Sequence, residues 1–399
     1  MSADAAPTGG ADIDVAVFGG GIAGLWLART LQDFGYSVQL LSLGALGAGQ
    51  TLWAQGIVHG GVKYLLSGRS DPMSEALWKL PERWREHLSG ARSPDLGGVR
   101  VRCDACYLLS SSRPWSRMRS FLGGRMLAGR VEKLARGERP EALRTVSGAL
   151  YQLQDLVVDV PSLLAGLSEP LSCWNIEGRP LNLERREPGW CVHVGEASLC
   201  TRTLVFAAAA GNIDLSDLAG IAPTPVQRRP LRQIIVRSPG LPEVYTHCIG
   251  GGFGAEPELT ITAHGSGAER VWSLGGAAAT AEGLSDEALI GRARERLAAF
   301  LPGLCPPDAE WSVHRVVRVE PDAGGALPDR PYCEWASDDV LIAWPSKLTL
   351  APLLGDMALE RLGKALGEPT ASDVRVELGM PRASVGAPPW LREAERAAA

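Results

Sequence analysis

A chain of 399 residues with a formal charge of −5 and a pI near 5.8 is not organised around nucleic acid as its principal partner. Its length exceeds the roughly 250–300 residues at which a single core stops growing, so two domains are expected. With 45% apolar and 21% charged residues the composition is that of a globular protein, and no apolar run reaches the ~18 residues that span a bilayer.

Residues 1–10 are small and polar, with neither a basic start nor a hydrophobic centre, and read as a disordered tail rather than a secretory signal. Residues 13–18 form an apolar strand, 22–34 carry Leu25, Leu27, Ala28 and Leu31 at helical spacings, and 37–43 read as the next strand. Between the first strand and the helix stands Gly19-Gly20-Gly21-Ile22-Ala23-Gly24. In a strand–turn–helix–strand unit this pattern is a dinucleotide fingerprint. Gly19 permits the bend, Gly21 lets backbone approach a pyrophosphate, and Gly24 lets the helix pack closely on the strand. The helix start adds free N–H groups and the positive end of its dipole. The ribose-binding acid expected about 20 residues on is missing; Ser42 stands there, a neutral and weaker partner.

Residues 74–91 read as a helix with Leu77, Leu80, Trp84 and Leu88 on one face. A basic stretch follows, with Arg113, Arg117, Arg119, Arg125 and Arg130 interleaved with Trp115, Met118, Phe121 and Leu122. It is a solvated basic face or a surface for anionic lipid. The eight cysteines show no disulfide framework: six are scattered singly, and Cys103 and Cys106 form an isolated CxxC. No second ligand pair supports zinc. Both are read as reduced residues flanking a strand over 99–109, with a redox dithiol as the alternative, and a cytoplasmic chain is expected.

Residues 156–164 are a strand running into a helix start at Pro161. The segments 181–187, 190–194 and 197–203 form a meander, and 204–212 a buried strand ending in small residues. Strands at 233–237, 258–263 and 270–275 suit a second sheet; 285–300 is an amphipathic helix, 340–344 a last buried strand, and 352–366 a closing helix. Nucleotide-type elements thus recur around sheet-like material, so the domains interleave.

Resemblance enters at 49–64. The run Gly49-Gln50-Thr51-Leu52-Trp53-Ala54-Gln55-Gly56-Ile57-Val58-His59-Gly60-Gly61-Val62-Lys63-Tyr64 resembles the D-amino-acid-oxidase superfamily of flavoproteins, which includes glycine oxidases, sarcosine oxidases and L-2-hydroxyglutarate dehydrogenases. Its second half is similar to glycerol-3-phosphate dehydrogenases. Trp344-Pro345-Ser346-Lys347-Leu348-Thr349-Leu350-Ala351-Pro352 is similar to the loop and helix start that close over the flavin in that superfamily. The resemblance covers about half of the chain in pieces, weakest over 100–150 and 230–310.

The resemblance implies an α/β plus α+β chain in which a Rossmann-like FAD-binding domain (1–70, 150–220 and 310–399) interleaves with an antiparallel-sheet substrate domain (71–149 and 221–309). Gly19, Gly21, Ile22, Ala23, Gly24, Ser42 and Leu43 belong to the nucleotide end. Gln50, Thr51 and Leu52 would follow the pyrophosphate, and Ala54, Gln55, Gly56, Ile57 and His59 the isoalloxazine. Leu181 matches an adenine contact, Ala208, Ala209 and Gly211 a small-residue turn, and Ser346, Lys347, Leu348 and Thr349 the closing loop. His59, Arg318 and Lys63 are the catalytic candidates. His59 is a proton acceptor, a hydrogen-bond partner of the ring or a site of covalent attachment, and Arg318 is a bidentate clamp for carboxylate or phosphate, with Arg232 and Arg315 as alternates. No metal site is expected.

The implied activity is hydride removal from a carbon bearing an amine or hydroxyl in a small anionic substrate: an amino acid, a hydroxy acid or a polyol phosphate. O2, a quinone or a carrier protein would take the electrons. The alternatives are a quinone-linked peripheral membrane dehydrogenase of glycerol-3-phosphate type and a flavin-binding non-catalytic module. A nicotinamide-using reductase needs a second fingerprint, which Gly250-Gly251-Gly252 with Gly275-Gly276 does not provide.

Overall fold

The computed structural model describes residues 12–61, 72–110, 131–250, 257–280, 283–369 and 376–391. The tail over 1–10, Lys63, Tyr64 and the whole basic stretch (113–130) lie outside the described residues.

The strand Ile13–Phe18 is buried along its whole length, as an unbroken apolar run must be when both sheet faces are covered. It pairs in parallel with Val38–Ser42 on one side and with Thr201 to Phe206 of the strand Ala197–Phe206 on the other. Cys173–Asn175 and Val340–Trp344 extend the parallel set outward. The expected meander is present as Leu181–Arg185, Trp190–Val194 and the first half of Ala197–Phe206. Helices Ile22–Phe34, Val160–Ser168 and Ala351–Leu366 share one core with the sheet through Leu25, Trp26, Leu31, Leu163 and Leu354. This is a Rossmann-like arrangement, with the glycine turn at the carboxyl end of the first strand.

A second sheet runs in the order Glu310–Pro321, Val226–Arg237, Val271–Gly275, Leu259–His264, Tyr245–Ile249, Tyr107–Ser110, Ala149–Leu153, Val131–Lys133. Every neighbouring pair is antiparallel except Tyr107–Ser110 with Tyr245–Ile249. Helix Asp286–Phe300 covers one face, placing Leu289, Ala293, Leu297 and Phe300 in a core with Ile234, Val236, Ile261 and Trp272. Glu310–Pro321 stands at the edge of this sheet. Its full-length partner Val226–Arg237 contains Pro230, tolerated because only Ile234 to Arg237 also pair on the other side, with Val271–Gly275. A small sheet of Ile57–Val58, Leu156–Val158 and Val101–Cys103 forms the seam: Leu156 and Val158 enter the first core, Val157 the second.

The cysteine reading needs one correction. Cys191 and Cys200 stand directly opposite each other in the antiparallel ladder, with Cα atoms 4.2 Å apart, and are disulfide-bonded. Two cysteines nine positions apart carry no pairing signal until the register of the hairpin is set. Cys103 and Cys106 are free, and burial pushes both thiols up, the opposite of what a reactive dithiol needs.

Two buried histidines make the fold acid-sensitive. His87 lies edge-on to Trp26, with ring centroids 5.1 Å apart, and His264 lies against Trp390 at 4.7 Å. Burial lowers each from 6.5 to about 4. Between those values the unfolded chain binds protons that the fold refuses, so stability falls as pH drops through the window. Asp155, raised by burial to about 6, works in the opposite sense over part of the same range. We expect a lower thermal midpoint at pH 5 than at pH 7, and His87→Gln, which cannot titrate, should remove part of that drop in circular-dichroism melts.

Candidate active site

The glycine turn shows why side chains are excluded there. Gly19 has φ +123°, and a Cβ on it would come within 2.4 Å of the Ala207 carbonyl oxygen. A Cβ on Gly20 would come within 2.3 Å of Ser42 Oγ, and one on Gly24 within 1.9 Å of the Gly19 carbonyl oxygen. Gly24 therefore serves packing and is not on the cavity wall. At the helix start, Gly21 has no side chain to cap with, and Thr51 Oγ1 accepts from the Ile22 N–H at 3.0 Å.

These groups border a cavity of about 540 Å³ running between the sheets. Gly19, Gly21, Ile22, Ala23, Ser42 and Leu43 line it beside the glycine turn, with Leu181, Ala208, Ala209 and Gly211. Gln50, Thr51, Ala54, Gln55, Gly56 and Ile57 form a continuous flank, and Ser346, Lys347 and Leu348 close it. Leu52, His59 and Thr349 are not on the wall. Leu52 is a core residue, and the Thr349 hydroxyl is 3.4 Å from the His59 carbonyl, which accepts from it. Gln55 ties the flank to the second sheet, its Nε2 donating to Ser273 O at 2.9 Å and Thr262 Oγ1 at 3.3 Å.

Several wall residues stand outside the candidate set named from the sequence. Trp53 lines the flank and packs on His314 at 5.3 Å; Trp344 lies beside the closing loop. Val316, Arg318 and Glu320, of one parity on their strand, line the cavity, joined there by Val319. That parity removes Arg315: three residues from Arg318, it points the other way and pairs with Asp286 at 2.6 Å. Arg232 donates to the Leu284 carbonyl at 2.7 Å. Arg318 Nε lies 2.8 Å from Glu320, a buried carboxylate that also accepts from Arg229 Nε at 2.6 Å. Burial lowers the Arg318 guanidinium, opposed by Glu320 and reinforced by Arg229; an arginine still keeps its charge. Two guanidiniums thus share one carboxylate. Among the described residues no acid replaces the one missing after the second strand on the cavity wall: Ser42 pairs with Asn175, and Glu177, exposed beside Gly44, is not among the lining residues.

A parallel sheet with a glycine cradle and a long cavity at its carboxyl edge defines a dinucleotide-binding α/β protein. The family described as FAD dependent oxidoreductase (DAO) matches residues 14–361, and the chain belongs to that family. It is 36% identical over 386 residues to a probable FAD-dependent oxidoreductase of Pseudomonas aeruginosa, covering 94% of this chain and 97% of that one. The crystal structure of the P. aeruginosa FAD dependent oxidoreductase superposes with a TM-score of 0.79 at 33% identity, over 96% of this chain and 98% of that one. Glycine oxidase of Geobacillus kaustophilus shares the fold, with a TM-score of 0.61 at 19% identity over 91% and 96% of the two chains. A 59-residue segment is 44% identical to glycerol-3-phosphate dehydrogenase 1 of Mycobacterium tuberculosis, 15% of this chain and 11% of that one.

The protein is an FAD-dependent oxidoreductase, and FAD is its cofactor. The cavity suits it on independent grounds. The glycine turn leaves room for backbone-to-phosphate approach, and Trp344 Nε1 and Ser346 Oγ are buried on the wall with no hydrogen-bond partner among the described residues. Ser346 also has φ +61°, a strained conformation for a serine. Among the described residues no helix is long and apolar enough to cross a membrane.

Gly24→Ala should drive a Cβ into the Gly19 carbonyl and cost roughly 1–3 kcal/mol or more. Its melt should drop and its flavin absorbance should be lost on gel filtration. Gly137→Ala, where no atom lies within 4 Å of the added Cβ, should change neither.

Proposed function

We propose that this oxidoreductase removes a hydride from a carbon bearing an amine or hydroxyl in a small anionic substrate. The observation that carries this reading is the Arg229–Glu320–Arg318 cluster. Two cations against one anion leave a net positive charge, and Arg318 brings it to the cavity wall. Glu320 orients Arg318 without cancelling the pair, so the guanidinium can meet a carboxylate or phosphate edge-on. Bound FAD supplies the two-electron acceptor. The chain's own work is to hold the substrate C–H in register and keep water out, which the lining of Ile57, Leu231, Val316 and Leu348 favours. An amine reacts in its deprotonated form and makes little demand for a base. A hydroxy compound must lose its O–H proton, and His59, two residues beyond the wall at Ile57, is the acceptor we assign. Lys347, at the start of the short helical turn that leads into Ala351–Leu366, supports negative charge at the closing loop. The fold shared with glycine oxidase and the segment shared with glycerol-3-phosphate dehydrogenase support both substrate types without choosing between them.

Anaerobic bleaching of the flavin by panels of amino acids, 2-hydroxy acids and polyol phosphates tests the proposal. At least one anionic compound should bleach it, and bleaching only by neutral or cationic ones would overturn the reading. With that substrate, Arg318→Met should raise KM by roughly 10- to 100-fold, the worth of a hydrogen bond to a charged group. FAD should stay bound; loss of FAD instead would move Arg318 from substrate to cofactor. His59→Ala should slow bleaching by a hydroxy compound far more than by an amine.

A further inference from the structure

One peptide group, between His59 and Gly60, is held from both ends. Its carbonyl accepts from Thr349 Oγ1 at 3.4 Å, and its N–H donates to Asp155 Oδ1 at 2.9 Å. Thr349 directly follows the closing loop and is itself buried, its own carbonyl accepting from Trp84 Nε1 at 3.0 Å. Asp155 sits in the turn between Ala149–Leu153 and Leu156–Val158 and is 4% exposed. The next strand bonds back to the flank, Val158 N–H donating to the Gly56 carbonyl at 2.9 Å. A single peptide thus joins the cavity flank, the closing loop and the seam sheet.

We infer that Asp155 is a positioning residue for the oxidoreductase reaction: its carboxylate sets the His59–Gly60 peptide, and through it the flank and closing loop that border the flavin ring. The inference rests on the reading that residues 54–59 run beside that ring.

The turn is built to hold the carboxylate still. The Asp155 carbonyl accepts from Cys106 N–H at 2.8 Å, and Arg85 of helix Pro72–Leu88 donates to the carbonyls of Gln154 at 2.9 Å and Asp104 at 2.7 Å. Pro81 of the same helix packs beside Gly60, where an added Cβ would lie 3.2 Å from it. A buried carboxylate with one N–H donor is costly to keep ionised. Burial accordingly raises Asp155 to about 6, against the lowering pull of the Gly60 N–H and Arg85. The titratable groups facing it are Arg85 from the helix, the Cys106 thiol from the strand connection and, along the loop, His59. Ionised, Asp155 grips the N–H with a charge-assisted bond; protonated, it makes a neutral bond of about half the strength. The grip therefore tightens as pH rises through about 6.

The test is visible circular dichroism of FAD in the intact holoenzyme between pH 5 and 8. We expect a transition with a midpoint near 6 in the wild type. Asp155→Asn, isosteric and unable to titrate, should show none and keep the low-pH spectrum throughout. His59→Gln should retain the transition on a shifted baseline, which separates Asp155 from the neighbouring imidazole. A transition that survives in Asp155→Asn, or is lost in His59→Gln alone, overturns the inference. If His59→Gln and Trp53→Phe both leave the flavin spectrum unchanged, the placement of the flank beside the ring fails, and the inference with it. If they shift it and Asp155→Asn does not, only the role of Asp155 fails.

Discussion

The structure depends on a close approach that allows no side chain. Where the first strand ends, the backbone of Gly19 lies against Ala207, and the first turn of helix Ile22–Phe34 lies against Gly19 through Gly24. This contact brings the helix start to the carboxyl edge of the parallel strands and aims its N–H groups and dipole along the cavity. Thr51 then satisfies the Ile22 N–H from the far side, so the flank of the cavity is anchored to the same point. Without the glycines the helix would stand off the sheet, and the flank would have nothing to close against.

The second sheet contributes by alternation. Successive residues of Glu310–Pro321 face opposite sides, so Val316, Arg318 and Glu320 reach the cavity while Arg315 turns to the covering helix. Charge follows from that geometry. A buried glutamate between two arginines satisfies much of their charge and leaves a surplus at the wall. The seam sheet carries alternate residues into both cores and links the halves mechanically, with the His59–Gly60 peptide at its edge.

Much of this was legible in advance, for physical reasons that differ by element. Ile13–Phe18, Ile22–Phe34 and Val340–Trp344 are announced by unbroken or periodic apolar residues because they are buried on two faces or one clear stripe. The flank and the closing loop were legible through glycine spacing and resemblance. Val226–Arg237 was legible only over its last residues, 233–237, because its charged first half with an internal proline shows little period-two signal. Trp53, Glu320 and Asp155 also went unmarked; each matters through a partner more than 90 positions away.

While the flank was read through resemblance, the amino-acid sequence by itself determined the glycine turn and the main buried strands and helices of the parallel sheet. These are local matters of backbone freedom and hydrophobic period. Only the tertiary structure decided that Cys191 pairs with Cys200 and that Arg318 rather than Arg315 faces the cavity. Each of those outcomes depends on strand register, and register is set by how two distant faces pack, which no window of sequence contains.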